Sequence, residues 1–202
     1  VDLARLHGWR ARDLARAYLA GGARCLQIRA KTLASGPFLE LADEVTADAR
    51  QAEAIVIVND RADIAALAGA SGVHVGQDDL APMEARTVVG ESALVGLSTH
   101  TSAQIDAARA MPVSYIAVGP VFDTSTKETG YRPVGLDLVR HAARGGHPIV
   151  AIGGVTLEHA TRVLDQGATA VAVISDLLAH GDPETRVRVW VRRLAGYARS
   201  PQ

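Results

Sequence analysis

Lysine is nearly absent from this sequence. The chain has two, Lys31 and Lys127, and arginine supplies almost all of its positive charge. Cysteine is single, which excludes an intrachain disulfide and fits a reducing compartment, the cytoplasm. That cysteine, Cys25, stands ahead of the end of an apolar run and reads as core. Asparagine occurs once, at Asn59, and aromatic residues make up 4% of the chain. An excess of charge of either sign is also missing: the formal net charge is −1 and arginines are interspersed with carboxylates. This excludes the basic footprint of a nucleic-acid binder and a polybasic membrane patch. Arg186, Arg188, Arg192 and Arg193 do gather, and they read as the solvated face of a surface helix. Apolar runs long enough to cross a bilayer are lacking as well, so no membrane partner is expected.

What is present is Ala, Val, Leu, Ile and Gly in quantity, with 48% of residues apolar. That balance suits strands buried on both faces of an α/β sheet. Seven short apolar runs stand out, at residues 24–31, 54–58, 72–75, 94–97, 115–118, 148–152 and 170–174. Helical patterns separate them. Trp9 to Ala20 stops at Gly21-Gly22; Phe38, Ala42, Val45 and Ala49 share a face. Leu157, Ala160 and Leu164 do the same, with Thr156 placed to cap and Gly167 to stop. Ser102 is placed to open the helix that carries Ile105 and Ala108. Asp182-Pro183 opens a last helix with Val187, Val191, Leu194 and Ala198 as its apolar stripe. The runs recur at roughly the spacing of a βα unit. Every one is followed at its carboxyl end by polar residues or glycines, which favours a barrel, whose loops share one mouth, over an open sheet with one switch point.

The expected architecture is therefore a single (β/α)8 barrel domain over residues 1–202 with its first strand absent or truncated. Val1-Asp2 would be the remnant of that strand. The native polypeptide is expected to carry about five or more residues before Val1, a typical strand length, to complete the closure.

The chemistry gathers around Gly119-Pro120-Val121-Phe122-Asp123-Thr124-Ser125-Thr126-Lys127. Gly-Pro ends a strand, and hydroxyls, loop amides and an ammonium then converge, a combination suited to a phosphoryl group. A compact ammonium is not interchangeable with a guanidinium fork, so a chain this poor in lysine has a reason to keep Lys127 there. Alternation puts Gln27, Arg29 and Lys31 on one strand face, where two cations call for solvent or an anion. Asn59 and Asp60 end the second strand, and either could instead cap the next helix. Gly76-Gln77-Asp78-Asp79 ends the third. Asp79 stands where a helix cap belongs, which leaves Asp78 free for other work. Barrels often hold phosphate at the loops after their last two strands, here Gly153-Gly154 and Ile174-Ser175. Glycine there permits close backbone approach to the anion. His74 lies mid-strand and reads as a satisfied core histidine.

Taken together, Gln27-x-Arg29-x-Lys31, Asn59-Asp60-Arg61, Gly72-Val73-His74-Val75-Gly76-Gln77-Asp78-Asp79, Ser98-x-His100, Gly119-Pro120-Val121-Phe122 with Thr124-x-Thr126-Lys127, Ile152-Gly153-Gly154 and Val173-Ile174-Ser175 resemble the thiamine-phosphate synthases. The resemblance spans about residues 20 to 180 and implies a barrel that joins hydroxymethylpyrimidine diphosphate to thiazole phosphate with magnesium. It implies Asp60 and Asp78 as metal ligands. Arg29, Lys31, Asn59 and Lys127 would surround the diphosphate, and Gln27 and Ser98 would lie near the pyrimidine. Thr124, Thr126, Gly154, Ile174 and Ser175 would hold the thiazole phosphate. Arg29, Lys31, Ser98 and Lys127 are the expected catalytic residues. Small molecules are the expected partners, with homo-oligomerisation left open. Thiazole tautomerases share the skeleton and use a histidine for proton transfer, the part His100 would take. A non-catalytic phosphate-binding barrel is the reading from another class, since fold does not fix activity.

Overall fold

The computed structural model describes residues 1–124, 132–179 and 181–197. Strand and helix alternate through them: α1 (Ala11–Ala20), β1 (Cys25–Ile28), α2 (Ser35–Gln51), β2 (Ile55–Asn59), α3 (Ala62–Leu67), β3 (Gly72–Val75), α4 (Pro82–Val89), β4 (Leu94–Thr99), α5 (Ser102–Ala108), β5 (Tyr115–Val118), α6 (Gly135–Ala143), β6 (Ile149–Ala151), α7 (Leu157–Asp165), β7 (Ala170–Val171), α8 (Ser175–Leu178) and α9 (Pro183–Leu194). The strands form one parallel sheet in the order β1-β2-β3-β4-β5-β6-β7. A doubly wound sheet reverses its order at the switch point. Here sheet order and chain order coincide, which is the order of a barrel.

Among the described residues β7 is not paired with β1. The outer edge of β1 is met by Val1-Asp2 instead. Asp2 forms a single parallel bridge with Arg29, made by Arg29 N to Val1 O and Leu3 N to Arg29 O, both 2.9 Å. This is the place expected of the first strand's remnant. Asp2 is buried, and one carboxylate oxygen accepts from Ala4 N at 3.0 Å to open a 3-10 turn over Leu3–Arg5.

Period-two alternation sends Leu26, Ile28, Val56 and Val58 outward against the helices, where Leu14, Phe38, Val45 and Ile64 close over them in one continuous core. Each fully buried large side chain contributes about 1.5–3 kcal/mol of transfer free energy. The α2 face over Phe38, Ala42, Val45 and Ala49 is buried as its spacing required. Among the described residues no helix is long and apolar enough to cross a membrane.

Several local expectations change. Cys25 is exposed: it opens β1 in register with Ile55, at the end of the strands away from the mouth, and alternation puts it on the face opposite Leu26 and Ile28, away from the helices. The last strand is shorter than its apolar run, since β7 bonds only β6 and its partner is itself three residues long. α5 opens at Ser102 as expected, and the residue before it, Thr101, supplies the side-chain cap by accepting from Gln104 N. Thr156 occupies the cap position of α7 but makes no side-chain cap bond. On α9 the buried face is Pro183, Val187 and Trp190, while Val191 is 43% exposed. Ala198 lies outside the described residues. Trp190 packs against Val155 and Ala160 in a second, smaller apolar cluster.

Arg186 does not belong to a solvated face. Its guanidinium pairs with the buried carboxylate of Asp176 through Nε and a terminal nitrogen at 3.0 and 2.8 Å, and Trp190 Nε1 donates to the same carboxylate at 2.6 Å. A buried carboxylate needs such compensation. The effect is to fasten α9 to the first turn of α8.

Candidate active site

Because all seven strands are parallel and in register, their carboxyl ends open on the same side. β1 runs on to Arg29 and Lys31, β2 ends in Asn59-Asp60, β3 leads to the loop of residues 76–79 and β4 ends in Ser98-Thr99. β5 leads into residues 119–124, β6 into Gly153-Gly154, and β7 is followed by Ile174-Ser175.

Among the described residues, charge gathers over β1 to β3. The Lys31 ammonium forms an ion pair with Asp60 and stands 3.9 Å from an Asp79 oxygen. The other Asp79 oxygen accepts from Gly76 N at 2.8 Å, which closes the loop after β3. Burial raises the Asp60 carboxyl above the ordinary range, and the hydrogen-bonded Asp79 carboxyl adds to the rise against the pull of Lys31. Two carboxylates brought this close need a cation between them. The backbone holds Asp60 there at a cost: its φ is +65°, with Arg61 N bonded to Asn59 O across it at 2.8 Å. This is the rarer and more strained form of γ-turn, and a left-handed non-glycine residue costs about 1 kcal/mol or more. Such strain persists only where surroundings impose it, here through Asp60 N donating to His74 O at 2.7 Å.

The reason for choosing Asp78 as the ligand therefore fails. α4 starts at Pro82 with Ala81 in the cap position and no side-chain cap bond, so Asp79 is not a cap. Asp79 faces Asp60, while Asp78 is exposed. The signal was in the sequence: proline favours the first helical turn, which puts the cap at Ala81. Neither Asn59 nor Asp60 caps α3, whose cap position is Arg61.

Arg29 is half-buried and bonded to Asp2 at 3.0 Å, and its Nε is buried without a partner, a donor still to be satisfied. Gln27 is half-buried on the same strand and Asn59 is buried at the end of β2. Ser98 is buried, with its hydroxyl 2.8 Å from His74 Nε2, and its carbonyl accepts from Gln77 Nε2 at 2.6 Å. His74 is thus the satisfied core histidine expected, but one of its partners is a mouth residue, a contact no spacing announces. His100 Nδ1 lies 2.5 Å from the Gly119 carbonyl, which can only accept, so Nδ1 carries a proton.

Across the mouth, Gly153-Gly154 interlock with the loop after β5. Val121 N bonds Ile152 O at 2.8 Å and Phe122 N bonds Gly153 O at 3.1 Å. A Cβ on Gly154, where φ is +67°, would stand 2.5 Å from the Asp123 carbonyl oxygen. Close approach is the reason for glycine, but the approaching group is the neighbouring loop. Thr124 lies at the described end of that loop; Ser125, Thr126 and Lys127 lie outside the described residues. Ser175 opens α8, with Ile174 in its cap position.

Comparison with known proteins follows the same lines. A family model described as thiamine monophosphate synthase matches residues 5–177. The thiamine-phosphate synthase of Koribacter versatilis (strain Ellin345) is 44% identical over 181 residues, spanning 89% of this chain and 84% of that protein. That of Thermus thermophilus is 43% identical over 182 residues, spanning 89% and 87%. Among solved structures, a thiamine phosphate pyrophosphorylase from Pyrococcus furiosus superposes with a TM-score of 0.87 at 26% identity, covering 94% of this chain and 92% of that one.

Proposed function

Because the chain belongs to the thiamine monophosphate synthase family, we propose that its mouth joins hydroxymethylpyrimidine diphosphate to thiazole phosphate, giving thiamine phosphate and pyrophosphate. It is an enzyme, a transferase. The observation that carries the reading is the Lys31 ammonium held between Asp60 and Asp79 at the mouth.

Magnesium characteristically takes one or two carboxylates together with substrate phosphates, and Asp60 with Asp79 is a donor set of that kind. Bound there, the ion would neutralise charge on the diphosphate. The exposed Asp78 is the poorer candidate. The pyrimidine methylene carbon loses its bond to the diphosphate oxygen, the electron pair leaves with pyrophosphate, and the thiazole nitrogen supplies the pair for the new carbon–nitrogen bond. Charge develops on the leaving group, so preorganised donors aimed at it lower the barrier. Lys31 and Arg29, with its unpartnered Nε, are those donors in the described residues, with Asn59 beside them; Lys127 is the expected further one. Gln27 and Ser98 hold the pyrimidine end. Thr124, Thr126, Gly154, Ile174 and Ser175 hold the thiazole phosphate, so that the two partners meet in one orientation. This step calls for no protein nucleophile.

The test is direct: purified protein, both substrates and magnesium, with thiamine phosphate and pyrophosphate measured in equal amounts. Equimolar appearance dependent on magnesium is expected. Isomerisation of the thiazole phosphate without coupling would overturn the reading.

A further inference from the structure

Beneath the mouth, three side chains on adjacent strands form a line. His74 on β3 is in register with Gly96 on β4, and Gly96 with Tyr115 on β5. Gly96 has no side chain, and Tyr115 occupies that space: a Cβ there would stand 2.0 Å from the tyrosine ring and 2.3 Å from its hydroxyl. The ring therefore crosses β4, stacks on His74 with centroids 5.6 Å apart, and brings its hydroxyl to 2.9 Å from His74 Nδ1. The other imidazole nitrogen, Nε2, is 2.8 Å from the hydroxyl of Ser98, further along β4.

The direction of these hydrogen bonds can be deduced. Among the described residues, His74 is the hydrogen-bond partner of the Tyr115 hydroxyl. Burial pushes that phenol well above its ordinary range, so it keeps its proton. If Nδ1 carried a proton, the phenol would have to accept, and its own O–H would be left without an acceptor in a poorly solvated site. Satisfaction requires the phenol to donate to Nδ1. Neutral imidazole then carries its proton on Nε2 and donates it to Ser98 Oγ. The serine oxygen is thereby used as an acceptor, and its own proton is turned outward.

We propose that Tyr115 and His74 are positioning residues that fix Ser98 as a hydrogen-bond donor to the pyrimidine diphosphate, Tyr115 by selecting the His74 tautomer. The proposal rests on the coupling reaction for the identity of the acceptor, but the tautomer itself does not depend on that reading.

Long-range proton–nitrogen NMR on imidazole-labelled protein reads the tautomer without any substrate. Expected is an unprotonated Nδ1 and a protonated Nε2 for His74 in the unmutated protein, and loss of that single state in Tyr115→Phe. An Nδ1-protonated or doubly protonated His74 near neutral pH would overturn the proposal, and this arm stands even if Tyr115→Phe does not fold. In the coupling assay, Tyr115→Phe should lower kcat by about tenfold, the range seen when a partner that orients a functional ligand is lost. In the Ser98→Ala background the same change should have no further effect on kcat. Multiplicative losses in the double variant would show that Tyr115 acts other than through Ser98. Absence of coupling in the unmutated protein would defeat the proposed reaction while leaving the NMR result to decide the tautomer.

Discussion

The carboxylate pair at the mouth is held against its own electrostatics. Asp60 has its carboxyl raised by burial first and by Asp79 as well. A carboxyl whose folded pKa lies above its unfolded value makes no loss of stability in acid, and an increasing loss as pH rises through the folded value. Asp60→Asn should therefore raise the melting temperature of the metal-free protein near neutral pH, with the gain shrinking as pH falls to the ordinary carboxylate range. Asparagine also tolerates the positive φ. The same variant, and Asp79→Asn, should lose magnesium-dependent coupling, whereas Asp78→Asn should retain it. Thermal melts from acid to neutral pH check the first part; a lower melting temperature for Asp60→Asn at neutral pH, or inactive Asp78→Asn, would refute it. His100 separates the synthase from the tautomerase. Its Nδ1 proton is committed to Gly119, and coupling calls for no histidine proton transfer, so His100→Asn should keep substantial coupling activity. A rate near zero for coupling, together with His100-dependent isomerisation in the unmutated protein, would reverse the assignment.

Two pairs of elements are tied by charge in ways their own sequences do not show. On the outside, Arg12 and Arg16 of α1 reach Asp48 of α2 at 2.8 and 2.9 Å. The hydrogen bond from Arg12, aided by Arg16, pushes the Asp48 carboxyl down to about 2. A lowered carboxyl contributes stability above its unfolded pKa and loses it as pH falls through the folded one. Asp48→Asn should cost about 0.5–1 kcal/mol near neutral pH, since the arginines are solvated. The difference from the unmutated protein should close as pH falls from the ordinary carboxylate range to about 2, as followed by denaturant titration; a gap persisting below that range would mean a packing effect. Under the mouth, Arg186 on α9 holds Asp176 on α8. Arg186→Ala removes the guanidinium from a buried carboxylate and should cost about 3–5 kcal/mol. Because α8 also carries Ser175, the KM for thiazole phosphate should rise more than that for the pyrimidine diphosphate. Equal changes in both would separate this tie from the phosphate loop.

For the whole molecule, the mouth is assembled from the ends of strands far apart in sequence, so a ligand that spans them stabilises the fold as a unit. Magnesium with pyrophosphate, at about a hundredfold excess over Kd, should add about 2.7 kcal/mol, or about 5–10 °C in Tm for a chain of this size. Magnesium alone should add far less, because the proposed carboxylate pair would supply only part of its coordination. No shift with the mixture would contradict a diphosphate site. The sequence by itself determined the alternation of apolar runs and helical faces, the barrel order that follows from polar residues after every run, and the family. These are local patterns, and period, punctuation and motif spacing are properties of neighbours along the chain. It also carried the clue that Asp79 is not a helix cap, since Pro82 dictates where α4 begins. Tertiary structure alone decided that Asp60 and Asp79 face each other across Lys31, that Cys25 is exposed, that Arg186 is buried against Asp176, and that Tyr115 reaches His74 over Gly96. The physical reason is the same in each case. These outcomes depend on which side chains of separate βα units share a space, and parallel strands acquire their neighbours only when the sheet closes up.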